Sequence, residues 1–194
     1  MKRDDILKLL EQVGAIRQGH FELSSGRHSG TYIQCALVLQ FPQHAEGLGK
    51  SLAEIFREHT VACVLSPALG GIIIGHEVAR ALGVRALFVE RDRSGQMALR
   101  RGFELKPGER VLVIEDVWTT GGSTRETIGV AEQEGGLVVA AGVLIDGSCG
   151  RVELNVPARA LLELNVASYE PDECPLCRAG GMPTRPGSRF SRAL

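Results

Sequence analysis

The stretch VLVIEDVWTTGGST, residues 111–124, runs an apolar, β-branched segment into two acids and then into a loop of hydroxyls and glycines. Thr119, Thr120, Gly121, Gly122 and Ser123 directly precede a helical pattern; their small side chains let backbone N–H groups close on an anion while the hydroxyls add donors. That composition suits a phosphate. No Gly-Lys-Ser/Thr follows, so the loop is not that of a P-loop ATPase. Glu115 and Asp116 would repel the same phosphate, which leaves sugar hydroxyls or a charge-offsetting divalent cation as their partners. A phosphorylated ribose meets both requirements. Taken singly, the acids read as a solvated strand end and the hydroxyl run as an ordinary helix-capping turn. Their succession behind a buried strand is what marks a site.

The elements that must position this loop are legible on either side of it. VACVL (61–65), VRALFVE (84–90), RVLVIE (110–115) and VVAAGVLI (138–145) are near-continuous apolar runs rich in Val, as expected of strands buried on both faces of a parallel sheet. IIIGHEVARAL before Gly83 and TRETIGVAEQE before Gly135-Gly136 supply helices between them. The alternation predicts an α/β domain with right-handed crossovers, and ligands of such sheets sit outside the carboxyl ends of the strands. Upstream, DDILKLLEQVGAI spaces Ile6, Leu10 and Val13 as a helix, and HFELSSGRHSGTYIQCALVL reads as short strands around a Ser-Gly turn. PQHAEGLGKSLAEIFREH opens on Pro42 and sets Leu48, Leu52 and Ile55 on one helical face. Three segments result: a helix and hood over 1–40, a core over 41–167, and a Cys/Pro/Gly/Arg-rich tail over 168–194, poorly structured or docked.

With 194 residues, 22 Lys plus Arg against 23 acids and a net charge of -1, the chain has the size of one ordinary domain and no charge excess suited to nucleic acid. No run approaches the ~18 apolar residues of a membrane helix, and the charged N-terminus lacks a signal peptide's apolar core, so the expected location is the cytoplasm. The five cysteines show no disulfide framework. CPLC at 174–177 supplies two of the four ligands that a structural zinc needs, with no second C-x-x-C or H-x-x-x-H after it. A local turn held by Pro175 or a redox pair stands beside zinc as its reading.

VLVIEDVWTTGGST resembles the PRPP (phosphoribosyl diphosphate) motif of the type I phosphoribosyltransferases. FELSSGRHSGTYIQ, SPALGGIIIG and CPLC with a Gly-Arg-rich end narrow the resemblance to the orotate-specific members, over roughly residues 1–180. The resemblance implies a parallel-sheet type I fold with a small N-terminal hood. It implies that Glu115 and Asp116 hold the ribose hydroxyls, that Thr119, Thr120, Gly121, Gly122 and Ser123 bind the 5-phosphate, and that Ala68, Leu69 and Gly70 lie near the diphosphate. Ser25, Gly26, Arg27, His28, Tyr32 and Ile33 would border the base. Residues 90–103, ERDRSGQMALRRGF, would form a loop, mobile at its tip, that closes over the neighbouring site of a homodimer. Arg91, Arg93 and Asp116 are then the catalytic candidates, with Mg2+ bound through the diphosphate and no side chain assigned as a metal ligand.

The pattern departs from the family at three places. Ser24 stands where a basic residue is usual; Asp146-Gly147 stands where the family reads Asp-Arg, leaving Arg151 or Arg27 to meet the orotate carboxylate; and residues 90–103 contain no lysine, so that Arg93 would stand in for it. Two classes of function follow: an enzyme joining PRPP to orotate, or to another nucleobase given Gly147, and a non-catalytic PRPP-binding regulator.

Overall fold

A computed structural model describes residues 1–23 and 25–186; Ser24 and the tail positions 187–194 lie outside the described residues. Helix α1 (Arg3–Gln12) buries Ile6 and Leu10, and β1 (Ile16–Glu22) and β2 (His28–Ile33) pair antiparallel to form the hood. The CALVL segment, expected as strand, instead makes a one-turn helix, α2 (Ala36–Leu39), that buries Val38 and Leu39. Helix α3 (Pro42–Ile55) starts on Pro42, whose missing N–H costs nothing in a first turn. Leu48 and Leu52 are buried as expected, but Ile55 is 38 % exposed and Phe56 takes its place in the core. Phe56 fits because Gly142 faces it: a Cβ there would lie 2.6 Å from the phenyl ring.

The core alternates as predicted: β3 (Cys63–Pro67), α4 (Gly70–Leu82), β4 (Arg85–Arg91), β5 (Met97–Leu99), β6 (Arg110–Trp118), α5 (Gly122–Gln133) and β7 (Leu137–Asp146). Then come β8 (Ala158–Glu163), β9 (Ser168–Tyr169) and a single turn, α6 (Pro175–Arg178). The six-stranded sheet has the order β5-β4-β3-β6-β7-β8, parallel except for the edge strand β5. Strand order reverses between β3 and β6, which places a ligand crevice where their carboxyl ends open. Val64, Leu112, Ile114 and Leu144 pack toward α3 and α4 on one face; Leu65, Val111, Val113 and Val143 pack toward α5 on the other.

Two local findings correct the expected outline. Strand β6 does not end on its acids: Val117 and Trp118 still pair with Ile145 and Asp146 of β7, so Glu115 and Asp116 lie within the strand and turn to opposite faces. Residues 90–103 are largely a hairpin, with Val89, Glu90 and Arg91 paired to Leu99, Ala98 and Met97. Asp92 closes the turn by accepting bonds from the Ser94 N–H, the Ser94 hydroxyl and the Gln96 N–H. Strand β9 returns to the hood and pairs with β2, so the described part of the tail docks there, with Glu22 N–H and Thr184 N–H bonded across to Thr184 O and His20 O.

Candidate active site

The carboxyl end of β6 and the N-terminus of α5 frame a small polar cleft of about 170 Å3. Arg91, Glu115, Thr119–Ser123 and Glu126 line it. The N-cap residue Gly121 has no side chain to cap α5, the Thr120 hydroxyl accepts from the Gly122 N–H at 3.4 Å, no acid occupies the first turn, and the first N–H groups of a helix have no intrahelical acceptor. The first-turn donors and the positive end of the helix suit a phosphate. Gly121 makes the bend at φ 72°, and a Cβ there would lie 2.6 Å from Val152 Cγ1, so both conformation and space require glycine.

Glu115 is 8 % exposed and accepts a hydrogen bond from the Thr124 hydroxyl, which in turn accepts one from the Trp118 indole at 2.7 Å. Burial pushes its carboxyl up to about 7, Asp116 and Glu126 adding to the rise against the Thr124 bond. Asp116 faces the other way. Burial raises its carboxyl as well, and a Cβ on Gly70 would lie 2.5 and 2.6 Å from its two oxygens. Thus the turn after β3 and the second acid of β6 meet at the point where strand order reverses. The Ala68–Leu69 peptide in that turn is cis, and Leu69 is 79 % exposed.

A second cleft, of about 470 Å3, opens between hood and core and shares Val117, Thr119 and Thr120 with the first. The hood contributes Leu23, Ser25, Arg27, Thr31, Tyr32 and Ile33, and the core side adds Gly147, Arg151, Val166 and Ser168. Burial, then Asp116, raises the Tyr32 phenol, which therefore stays neutral near pH 7. Arg27 is committed locally: it donates to the Ser168 hydroxyl at 3.1 Å, to Ser168 O at 2.8 Å, and pairs with Glu170. The Arg151 backbone N–H donates to the Ser148 hydroxyl at 3.1 Å and its Nε to Ser148 O at 2.8 Å; among the described residues its guanidinium has no acidic partner. Gly147, where the family carries arginine, leaves room beside Ile33 and Val166 in the same wall.

Of the residues singled out from sequence, Arg91, Glu115 and Thr119–Ser123 converge on the small cleft, and Ser25, Arg27, Tyr32, Ile33 and Arg151 on the larger one. Arg91 reaches the cleft of its own chain, with a 2.8 Å ion pair to Glu126. Arg93 lies exposed on the hairpin turn and lines neither cleft. Leu69 and Gly70 stand behind Asp116 rather than in either lining, and Gly26 serves the hood turn with φ 81°. His28, expected at the base, is buried against His20 and Cys177 instead and lines neither cleft. Sequence reasoning missed Thr124, Glu126 and the role of Trp118; the usable signal was the indole N–H, which finds an acceptor when buried.

Residues 38–173 match the phosphoribosyl transferase domain family. The orotate phosphoribosyltransferase of Pelotomaculum thermopropionicum is 53 % identical over 97 % of this chain and 99 % of its own. Among solved structures, the orotate phosphoribosyltransferase of Aeropyrum pernix superposes with a TM-score of 0.69 at 28 % identity, covering 82 % of this chain and 93 % of its own. The Mycobacterium tuberculosis enzyme in complex with PRPP superposes at 0.67 and 25 % identity, covering 84 % and 96 %. With this sheet order, these adjoining clefts and relatives of that identity over nearly its whole length, the chain belongs to the phosphoribosyltransferase family and, within it, to the orotate phosphoribosyltransferases.

Proposed function

We propose that the protein transfers the 5-phosphoribosyl group of PRPP to orotate, giving orotidine 5'-monophosphate and diphosphate, a step of pyrimidine nucleotide synthesis. The observation that carries this reading is the pair of clefts joined at Val117, Thr119 and Thr120: one is shaped for a phosphate at a helix N-terminus, the other is walled by hood residues and reached by Arg151. A ribose spanning the shared rim puts its 5-phosphate on Thr119–Ser123 and its anomeric carbon toward the larger cleft. The M. tuberculosis relative solved with PRPP supports that first substrate.

In this mechanism a ring nitrogen of orotate attacks the anomeric carbon as the bond to diphosphate breaks; the bonding electron pair leaves with the diphosphate, and the ring N–H proton is released to the diphosphate or to water. Positive charge builds on the ribose, as in glycoside hydrolysis. Glu115 and Asp116 hold the sugar and offset that charge, so no covalent enzyme intermediate is required. Arg91 meets the negative charge of the departing group, a task in which one donor is worth about 3 kcal/mol. Arg151 pairs with the orotate carboxylate. Mg2+ bound through the diphosphate would spread the leaving group's charge.

We further propose a homodimer working in the cytoplasm. No helix among the described residues is long and apolar enough to cross a membrane. The test of function is diphosphate release from PRPP and Mg2+ with orotate, uracil, adenine or hypoxanthine in separate reactions. Release with orotate alone is expected; release only with another base would move the substrate, and silence with all four despite PRPP binding would make the protein a regulator.

A further inference from the structure

The motif left over from the site is CPLC, and the fold brings it two partners. His20 on β1 and His28 on β2 meet Cys174 and Cys177 at the start of α6, with all four potential ligand atoms within 4.8 Å of one another. His20 Nε2 lies 3.2 Å from His28 Nδ1, 3.5 Å from Cys174 Sγ and 3.7 Å from Cys177 Sγ; His28 Nδ1 lies 3.3 Å from Cys177 Sγ. Tetrahedral zinc with bonds of about 2.0–2.3 Å separates its nitrogen and sulfur ligands by roughly 3.3–3.8 Å. The observed spacings fall close to that range.

Without a cation the arrangement is poorly satisfied. Each neutral imidazole carries one N–H, thiols are weak donors, and His20 Nε2 faces three other lone-pair atoms. His20 Nδ1 is itself buried with no hydrogen-bond partner. Cys174 is fully buried and His28 is 6 % exposed, so the cluster sits under the hood rather than on an open surface.

We propose that His20, His28, Cys174 and Cys177 bind one zinc ion as a closed, structural Cys2His2 site. Two thiolates balance the charge of the dication, and four protein ligands leave no position for a reacting water. The ion ties both hood strands to the C-terminal segment. His28 directly follows Arg27, and β9, which precedes the CPLC turn, carries Ser168, the acceptor of two Arg27 bonds. The metal therefore pins the hairpin that roofs the larger cleft, at a distance from the phosphate loop.

The test uses full-length protein purified under reducing conditions without chelator. Elemental analysis is expected to find about one zinc per chain in the native protein and less than about a tenth of that in Cys174→Ser and Cys177→Ser variants. Because those variants could fail to fold, the native protein is also exchanged with Co2+. Intense visible d–d bands of tetrahedral cobalt with a thiolate-to-metal charge-transfer band support the site. Chelation is expected to lower the Tm of the native protein. An octahedral cobalt spectrum, native protein that takes up no zinc on reconstitution, or a Cys174–Cys177 disulfide persisting under reduction would each overturn the proposal.

Discussion

The indole N–H of Trp118 donates to the Thr124 hydroxyl at 2.7 Å, and that hydroxyl passes its own proton toward Glu115. The last residue of β6 thus orients, through the first turn of α5, the acid three positions before it. Thr124→Val breaks this relay and removes from the buried carboxylate the larger of its two hydroxyl donors, leaving Ser123. A hydrogen bond to a charged group is worth about 1.5–3 kcal/mol, so kcat/KM should fall roughly ten- to a hundredfold with the fold intact. Trp118→Phe keeps most of the buried area and loses only the N–H, for a smaller loss of about 1 kcal/mol in urea unfolding.

Glu115 should make both stability and turnover depend on pH. Its carboxyl rises from 4.5 to about 7, chiefly through burial, so between those values the folded chain holds a proton that the unfolded chain has released. Stability is therefore highest below the unfolded value, falls as pH rises through the folded one, and is level above it. The span corresponds to about 3 kcal/mol as an order of magnitude. The raised carboxyl of Asp116 acts in the same direction. Glu115→Gln should flatten this slope in denaturant titrations at several pH values. In the wild type, kcat/KM should climb through about pH 7 as the sugar-binding carboxylate forms.

Much of this architecture was legible because its signals are local. Each Val-rich run is continuous because its strand is buried on both faces, and the acids and the TTGGST loop follow one of those runs within a few residues. Strands β5, β8 and β9 were not, since short or edge strands carry no continuous apolar run: β8 alternates Arg159 and Glu163 with its apolar residues. The His20–His28–Cys174–Cys177 cluster was beyond spacing rules for a different reason. Its two halves lie about 150 positions apart and meet only when β9 joins the hood.

Glycines at two turns should be indispensable. Gly70→Ala drives a methyl into the Asp116 carboxylate at 2.5 Å, and Gly121→Ala combines a positive φ with a 2.6 Å contact to Val152. The second adds a conformational cost of about 1–2 kcal/mol. Gly70→Ala is expected to impair turnover more than PRPP binding, and Gly121→Ala to weaken PRPP binding directly, as titration calorimetry beside kinetics would separate.

The two hairpin arginines should part company. Arg91 lines the polar cleft and Arg93 does not, so Arg91→Ala should lower kcat roughly a hundredfold, in keeping with the loss of one well-placed electrostatic donor. Arg93→Ala should stay within about threefold of wild type by the same electrostatic argument. Equal, large losses for both would assign Arg93 the lysine-like role that the sequence suggested.

The most direct test of the account is the ratio of kcat/KM for orotate to that for uracil, measured in wild type and in Arg151→Ala. The two bases differ by the carboxylate, and Arg151 is the cation in the larger cleft with no acidic partner among the described residues. The ratio should fall roughly ten- to a hundredfold in the variant, matching one charge-assisted pair, with KM for PRPP nearly unchanged. An unchanged ratio, with the preference for orotate lost in Arg27→Ala instead, would contradict it.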